Sequence, residues 1–261
     1  MFPIAVSLNR DKGLQGALMR LLLIAGMGES VGLARDLSAI AGFEVICVTE
    51  GRAVARAEPP AKIYDGKFDT DAEFVQYLAD QQFDMVVDAA HPFEFRLGTL
   101  AQSCGLPYLK VMRDQWHPSP HETCISSTSV EDAVSKIPDN KRVFVATGHG
   151  SVFAVENRPS IYVLCRQLAQ HTRTFPLPNG EYVFGEGPFS VEAEMALFKS
   201  LKVDFLLLRN SGSVQGRTKV AAACALGIKV IMIEQKGLNL DPSQMAPLKD
   251  VVKRVIDYAD H

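Results

Sequence analysis

Short apolar runs alternate with segments of helical periodicity along most of this chain. The run at 21–25 is followed by helical spacing at 29–41, and the next run at 45–49 is followed by a helical segment at 70–81. A continuous apolar run of this length is typical of a strand buried on both faces of a parallel sheet. The alternation therefore predicts repeated βαβ units and an α/β fold with right-handed crossovers.

The same pattern continues to the end of the chain in two series. The predicted strands are 21–25, 45–49, 83–87, 107–111, 142–147, 161–166, 205–208 and 229–233. The predicted helices are 29–41, 70–81, 96–103, 129–136, 190–200, 218–226 and 247–259, with a helical turn at 151–155 and a loop-rich stretch at 170–186. The segment 112–128, which contains prolines and serines, separates the two series. We therefore predict an N-terminal extension (1–19), a first lobe (20–115) and a second lobe (116–261), with a ligand cleft between the lobes.

The third predicted strand ends in unusual polar residues. Asp88 follows the apolar run, and His91, Pro92 and Phe93 come directly after it. Ligands of open α/β sheets bind just beyond the carboxyl ends of the strands, so a histidine whose backbone is restricted by Pro92 is well placed to meet one. The structural alternative is that Asp88 caps the next helix and His91 is a satisfied turn residue.

A glycine-containing turn joins the first predicted strand to the first helix. Glycines and free amides at a helix start favour a nucleotide phosphate, although the Gly-x-Gly-x-x-x-Gly spacing is one residue longer than the usual fingerprint. A tight strand-to-helix turn is the alternative. After the second strand, Glu50 suits the ribose hydroxyl of NAD, whereas Arg52 and Arg56 suit the 2′-phosphate of NADP. The sequence carries both signals and leaves the cofactor open between them.

The second series contains three motifs rich in hydrogen-bond donors. They are Thr147-Gly148 after one strand, Gly187-Pro188-Phe189 before the predicted N-cap Ser190, and Arg209-Asn210-Ser211-Gly212 followed by Lys219. Many donors and few negative charges suit a polyanionic small molecule. Capping turns and a solvated loop are the alternatives.

Composition excludes several classes of protein. The chain has 261 residues and a net charge of −3, which does not indicate a nucleic-acid surface. Its five scattered cysteines include no CxxC pair and fit a reducing cytoplasm. The sequence contains no Gly-x-Ser-x-Gly hydrolase motif, and its apolar runs predict neither a signal peptide nor a membrane span. The spacing of His117 and His121 would suit a zinc site on a helix, but Pro118 and Pro120 prevent that helix, and no metal site is expected.

Taken together, these motifs resemble the precorrin-6A reductase family of cobalamin biosynthesis over residues 20–235. The resemblance implies two Rossmann-like lobes with mainly parallel sheets. It also implies NADPH-dependent reduction of one carbon–carbon double bond of precorrin-6A, or of its cobalt form, without a protein-bound metal or flavin. The implied cofactor-binding residues are Gly26, Met27, Gly28, Glu29, Ser30, Arg52 and Arg56. The implied substrate-binding residues are His91, Pro92, Phe93, Arg113, Trp116, Thr147, Gly148, Gly187, Pro188, Phe189, Arg209, Asn210, Ser211, Gly212 and Lys219. The expected partner is the tetrapyrrole substrate, with transient contacts to neighbouring enzymes of the pathway and none to nucleic acid or membrane.

The chain departs from the family pattern at five places. Residues 25–30 replace the usual Gly-Gly-Thr turn, Ala90 replaces a threonine, Arg209 replaces a lysine, Ser213 replaces a glycine, and residues 214–217 are additional in the segment that opens the next helix. His91 is the candidate catalytic proton donor because its usual pKa is near neutrality, although water or the substrate nitrogens would serve as well. Two alternatives stay open: another NAD(P)-dependent reductase of small molecules, and a two-lobe nucleotide-binding regulator without enzymatic activity.

Overall fold

The computed structural model describes residues 18–49, 61–64, 68–119, 123–237 and 239–260. Within them the chain forms two compact units. The first lobe consists of residues 18–113 and 239–260, and the second lobe consists of residues 114–237. Each lobe contains a six-stranded sheet in which every strand pair is parallel, so the predicted α/β fold class is confirmed.

The described part of the first lobe contains six strands, four α-helices and a short 3₁₀ helix, Pro242–Gln244. In chain order the strands and α-helices are β1 (Met19–Ala25), α1 (Ser30–Ser38), β2 (Phe43–Thr49), β3 (Lys62–Ile63), α2 (Asp71–Gln81), β4 (Met85–Ala89), α3 (Arg96–Ser103), β5 (Tyr108–Met112) and, from the C-terminal segment, β12 (Met245–Pro247) and α7 (Leu248–Ala259). The strand order is β12-β5-β4-β1-β2-β3. Alternate residues of β1 face opposite sides of the sheet, so Leu21 and Leu23 join one core cluster while Leu22 and Ile24 join another.

The second lobe repeats the arrangement with a different set of elements. They are β6 (Cys124–Ser127), α4 (Val130–Ser135), β7 (Arg142–Val145), a 3₁₀ helix (His149–Val155), β8 (Tyr162–Gln167), β9 (Gly180–Phe184), α5 (Val191–Ser200), β10 (Phe205–Arg209), α6 (Val214–Ala225) and β11 (Lys229–Ile233). The strand order is β6-β11-β10-β7-β8-β9. Phe144 on β7 and Phe198 on α5 meet edge to face in the core, with ring centroids 5.0 Å apart.

Each sheet contains one point at which the order of its strands reverses. In the first lobe, β2 and β3 lie to one side of β1 while β4 and β5 lie to the other. In the second lobe, β8 and β9 lie to one side of β7 while β10 and β11 lie to the other. Crossovers on opposite faces leave a crevice at the carboxyl ends of the two central strands, which is where open α/β sheets bind ligands. Ligand sites are therefore expected beside the strand pairs β1–β4 and β7–β10.

The structure corrects the predicted extent of the lobes. We predicted that the second lobe runs to residue 261, but the last strand, β12, pairs with β5 of the first sheet, and Val251 and Val255 of α7 are buried in the first core. We also predicted an N-terminal extension over residues 1–19, but Met19 already belongs to β1 and pairs with Phe43 of β2. Residues 1–17 lie outside the described part of the chain.

Candidate functional site

The turn after β1 packs directly against the chain leaving β4. A Cβ atom built on Gly26 would lie 2.8 Å from the backbone nitrogen of His91, so only glycine allows this approach. The N–H groups of Gly26 and Met27 donate to the carbonyl oxygen of Ala89 over 3.1 Å and 3.2 Å. The predicted nucleotide turn and the His91 segment are therefore adjacent at the reversal point of the first sheet, and Gly26 is explained by that packing.

The side chain of Ser30 links the same turn to the end of β4. Its Oγ accepts the N–H of Met27 over 3.2 Å and donates to the carbonyl oxygen of Ala89 over 3.0 Å, and the residue is buried. Met27 belongs to the first core. Gly28 differs from both, because a Cβ built there would have no heavy atom within 4 Å. Of the predicted cofactor residues in this turn, Gly28 borders open space, while Gly26, Met27 and Ser30 hold the turn in place.

Glu29 and Arg113 form an ion pair within the first lobe. Glu29 is the N-cap residue of α1 and Arg113 follows β5, where its side chain is largely buried. Arg113 was predicted to bind substrate, and the structure shows it paired with Glu29. The arginine offsets the negative charge of Glu29, which would otherwise repel an anion at the start of α1.

His91 is held by a contact within its own segment. The backbone N–H of Phe93 donates to Nδ1 of His91 over 3.3 Å, and the two rings lie 6.0 Å apart. With Nδ1 accepting, the proton of the neutral ring resides on Nε2. The half-buried imidazole is therefore arranged to donate a hydrogen bond from Nε2.

Asp88 supports this segment through a buried polar cluster. Its Oδ1 accepts the N–H of Ala90 over 2.9 Å and lies 3.0 Å from Nζ of Lys110, and its Oδ2 accepts the hydroxyl of Tyr108. Burial, together with the adjacent carboxylate, raises the pKa of Tyr108 and keeps the phenol protonated. The structural alternative, that Asp88 caps the next helix, is wrong, because helix α3 begins at Arg96. Gly98 within α3 leaves room for the Asp88 carboxylate.

Arg52, Arg56 and Glu50, on which the choice between NAD and NADP depends, lie outside the described residues.

The reversal point of the second sheet opens into a cavity of about 580 Å³. Thr147 after β7 and Arg209 at the end of β10 both line it, together with Val130, Glu131, Gly150, Ser151, Phe153 and Ala154. Thr147 is buried, and its Oγ1 has no hydrogen-bond partner among the described residues. Gly148 has a φ of 97°, a conformation that favours glycine. Two of the predicted motifs thus share one cavity.

Asn210 has a structural role that sequence reasoning missed. Its side-chain amide accepts the N–H of Trp116 over 2.8 Å and donates to the carbonyl oxygen of Trp116 over 3.0 Å, as a neighbouring strand would. It also donates to Glu234 over 2.8 Å. The indole of Trp116 fills the space at Gly216, where a Cβ would lie 2.2 Å from the ring. Asn210 and Trp116, both predicted to bind substrate, therefore also organise each other.

The rest of this loop prepares the start of α6. Ser213 is the N-cap and accepts the N–H of Gly216 over 3.1 Å, and the hydroxyl of Ser211 lies 3.2 Å from that of Ser213. Gly212 has a φ of 69°. Because Ser213 caps the helix, α6 begins at Val214, four residues before the predicted start at Thr218. The substitution of glycine by Ser213 thus has a structural use.

The Gly187-Pro188-Phe189 segment leads to a buried group of charges. Gly187 and Pro188 are exposed and joined by a cis peptide bond, and Ser190 caps α5 as predicted, accepting the N–H of Ala193 over 3.1 Å. Phe189 lies against Lys219 and Arg166, and both cations pair with Glu194. The sequence motifs include neither Arg166 nor Glu194. The feature of the sequence that could have identified Arg166 is its position, since a charged residue at the end of a strand predicted to be buried needs a partner.

Other classes of site are not seen in the described ranges. Among residues 18–119 and 123–260, less the short undescribed gaps, no three His, Cys, Asp or Glu side chains come together as metal ligands. No helix in this part of the chain has the length and hydropathy of a membrane span.

Comparison with known proteins gives a consistent result. A family model described as precorrin-6x reductase CbiJ/CobK matches residues 20–256. The chain is 32% identical to a precorrin-6A reductase of Sinorhizobium sp over 222 residues, which cover 83% of this chain and 85% of the relative. It is 26% identical to a cobalt-precorrin-6A reductase of Priestia megaterium, covering 82% and 89% of the two chains. A solved structure named CobK precorrin-6A reductase superposes with a TM-score of 0.78 at 26% identity, covering 94% of this chain and 97% of that one.

Proposed function

The chain belongs to the precorrin-6x reductase family, and we propose that it uses NADPH to reduce one carbon–carbon double bond of precorrin-6A, or of its cobalt form. The observation that carries this proposal is the family match over 20–256, which spans nearly all the described residues of both lobes. The relatives named above are reductases of such tetrapyrroles, and the cobalt-containing and cobalt-free substrates both occur among them.

The second lobe supports a role in binding the substrate. A precorrin carries many carboxylates, and arginine, lysine and hydroxyl groups are suited to bind them. Arg209 and Thr147 line the cavity at the reversal point, and Lys219 lies on the helix that follows β10. We therefore assign the tetrapyrrole to the carboxyl edge of the second sheet.

The first lobe supports a role in binding the cofactor. The open space at Gly28 and the amides at the start of α1 fit a dinucleotide phosphate, and Arg113 offsets the negative charge of Glu29. When bound, NADPH supplies the hydride, and the protein supplies position and electrostatics. Ser30 and Gly26 fix the turn that would hold the phosphates against the His91 segment.

His91 is proposed as a hydrogen-bond donor to the ligand. The N–H of Phe93 donates to its Nδ1, so Nε2 is the nitrogen that would donate to a ligand. Solvent or the substrate nitrogens would serve as the source of the proton that follows the hydride.

The deciding experiment is anaerobic, single-turnover oxidation of NADPH followed at 340 nm with precorrin-6A and with cobalt-precorrin-6A. Stoichiometric oxidation with either tetrapyrrole supports the proposal. Oxidation only with small carbonyl compounds would favour another type of reductase. Tight NADPH binding without any oxidation would favour a regulator.

Cofactor choice is predicted to depend on Arg52. One charge-assisted contact to the 2′-phosphate contributes about 1.5–3 kcal/mol, so Arg52→Ala should weaken NADPH binding roughly 10- to 150-fold and leave NADH binding nearly unchanged. The exposed Arg35→Ala in α1 is the matched control. Equal losses for both cofactors would show that Arg52 does not contact the phosphate, and Glu50 would then favour NAD.

A further inference from the structure

Three ionised side chains from three elements meet inside the second lobe. Arg166 lies at the end of β8, Glu194 in the first turn of α5 and Lys219 in α6. Glu194 Oε2 accepts a hydrogen bond from Nη2 of Arg166 over 2.9 Å, and Glu194 Oε1 lies 3.4 Å from Nζ of Lys219. We call these three residues the Glu194 cluster.

The Glu194 cluster carries more positive than negative charge. Two cations share one carboxylate, and the exposed fractions of Arg166, Glu194 and Lys219 are only 8%, 1% and 9%. Burying a cation without its own counter-ion is costly, since the lost hydration is not replaced. In addition, Nε of Arg166 has no hydrogen-bond partner within the described residues. Such an arrangement is retained more readily where an anion completes it.

An aromatic ring accompanies both cations. Phe189 lies 4.3 Å from Cζ of Arg166 and 5.1 Å from Nζ of Lys219, measured to the ring centroid. The ring is half-buried, and cation–π attraction offsets part of the surplus charge. Gly185 leaves the space that Arg166 occupies, because a Cβ there would lie 2.4 Å from Nη1. The three residues of the Glu194 cluster are therefore packed against Phe189 and accommodated by Gly185.

We propose that the Glu194 cluster is a carboxylate-binding subsite of the second lobe, in which Arg166 and Lys219 bind one carboxylate of the tetrapyrrole and Glu194 holds the two cations apart and in place. Glu194 is a positioning residue, and Phe189 presents an apolar edge beside the bound carboxylate. This subsite rests on the proposed function and extends it to two residues, Arg166 and Glu194, that the motifs do not include. The location agrees, since Arg166 lies at the carboxyl end of a strand that pairs with β7.

The charge balance also gives the subsite a pH dependence. Burial lowers the pKa of Lys219, and Arg166 lowers it further, while Glu194 opposes both effects. Lys219 binds an anion only when protonated, so affinity for the substrate should fall as pH rises through that lowered pKa. Replacing Glu194 by glutamine removes the opposing charge, and the fall should then begin at a lower pH.

The test is equilibrium binding of precorrin-6A in the absence of NADPH, followed by absorbance, to Arg166→Met, Lys219→Met and Glu194→Gln. Loss of one charge-assisted contact should weaken binding about 10- to 150-fold in the first two variants. In Glu194→Gln, the loss of affinity with rising pH should begin at lower pH than in the wild type. Glu192→Gln, on the exposed face of the same helix turn, is the matched control and should change nothing.

Two further measurements keep the outcome decisive. The affinity for NADPH should stay within about twofold of the wild type in every variant, and melting temperatures identify variants that fail to fold. If Arg166→Met is unfolded, Arg166→Lys takes its place and should bind substrate more weakly, because lysine lacks the guanidinium fork. Folded variants with normal affinity for precorrin-6A, or with lost affinity for NADPH instead, would overturn the proposal. Because binding is read without turnover, failure of the subsite is distinguishable from failure of the reductase assignment.

Discussion

At the scale of single residues, the first lobe separates groups that build the candidate site from groups that face a ligand. Gly26, Ser30 and Asp88 each bind or accommodate the backbone between Ala89 and His91. The polar residues that follow a buried strand directed the prediction to this region, and the structure brings them together there. It did not distinguish the roles, since a buried serine that ties two turns together has the same signature as one that binds a phosphate.

Substitution of His91 tests whether this residue contacts a ligand or supports the structure of the site. His91→Ala should leave the melting temperature nearly unchanged and reduce kcat/KM for the tetrapyrrole by about tenfold, the value of one neutral hydrogen bond. His91→Asn, which keeps a donor, should recover part of that loss. A reduction of 10²–10⁴-fold would instead identify a general acid. A destabilised variant with full activity per folded molecule would remove His91 from the site.

Arg209 provides the corresponding test in the second lobe. Arg209→Ala should raise KM for the tetrapyrrole roughly tenfold or more, because a charge-assisted contact to a carboxylate is lost, and should leave NADPH affinity intact. Lys199→Ala, at an exposed position of α5, serves as control. If NADPH affinity fell while substrate affinity stayed normal, the two lobes would have been assigned to the wrong ligands.

At the scale of elements, the central strands were predictable and the edge strands were not. All eight predicted strands are present, while the four that were missed are β3, β6, β9 and β12, the two edges of each sheet. An edge strand pairs on one side only, and these four are short and partly exposed, so they lack the continuous apolar run of a central strand. β9 was hidden within the loop-rich stretch at 170–186 for this reason.

Helix α3 contains a glycine, Gly98, where it packs against the buried side chains of Asp88 and Tyr108. A Cβ on Gly98 would lie 2.2 Å from Oδ2 of Asp88 and 2.9 Å from the Tyr108 hydroxyl, both buried. Gly98→Ala gains helix propensity of about 1 kcal/mol but should still destabilise the protein by about 1–3 kcal/mol through overpacking. Gly32→Ala in α1 has open space and should stabilise it instead. Urea denaturation measures both, and stabilisation by Gly98→Ala would show that the polar cluster is loosely packed.

At the scale of the whole molecule, the two lobes are not consecutive segments of the chain. The sequence predicted the helix at 247–259 but placed it in the wrong lobe, because chain order was the only guide to its neighbours. A strand of three residues, Met245–Pro247, gives no pattern that would reveal its partner. The buried Ala246, Val251 and Val255 show that the segment completes the first core.

Removing the C-terminal segment should therefore damage the first lobe selectively. A chain ending at Gly237 should lose hydrogen-exchange protection in β1, β4 and β5 while β7 and β10 keep theirs. A milder version is Val255→Ala, which should cost roughly 2 kcal/mol, whereas the exposed Lys253→Ala should cost little. Uniform loss of protection in both lobes would show that the lobes unfold as one unit.

The return of β12 also has a consequence for synthesis on the ribosome. Domains generally fold as units as they emerge, yet the first lobe to be translated is the last to receive all its parts. Until residues 245–247 leave the exit tunnel, the free side of β5 stays unpaired, and an open strand edge invites pairing with other chains. The second lobe, whose residues are contiguous, needs no such wait. The first lobe of a nascent chain is thus exposed to aggregation from the time it emerges until β12 has followed it.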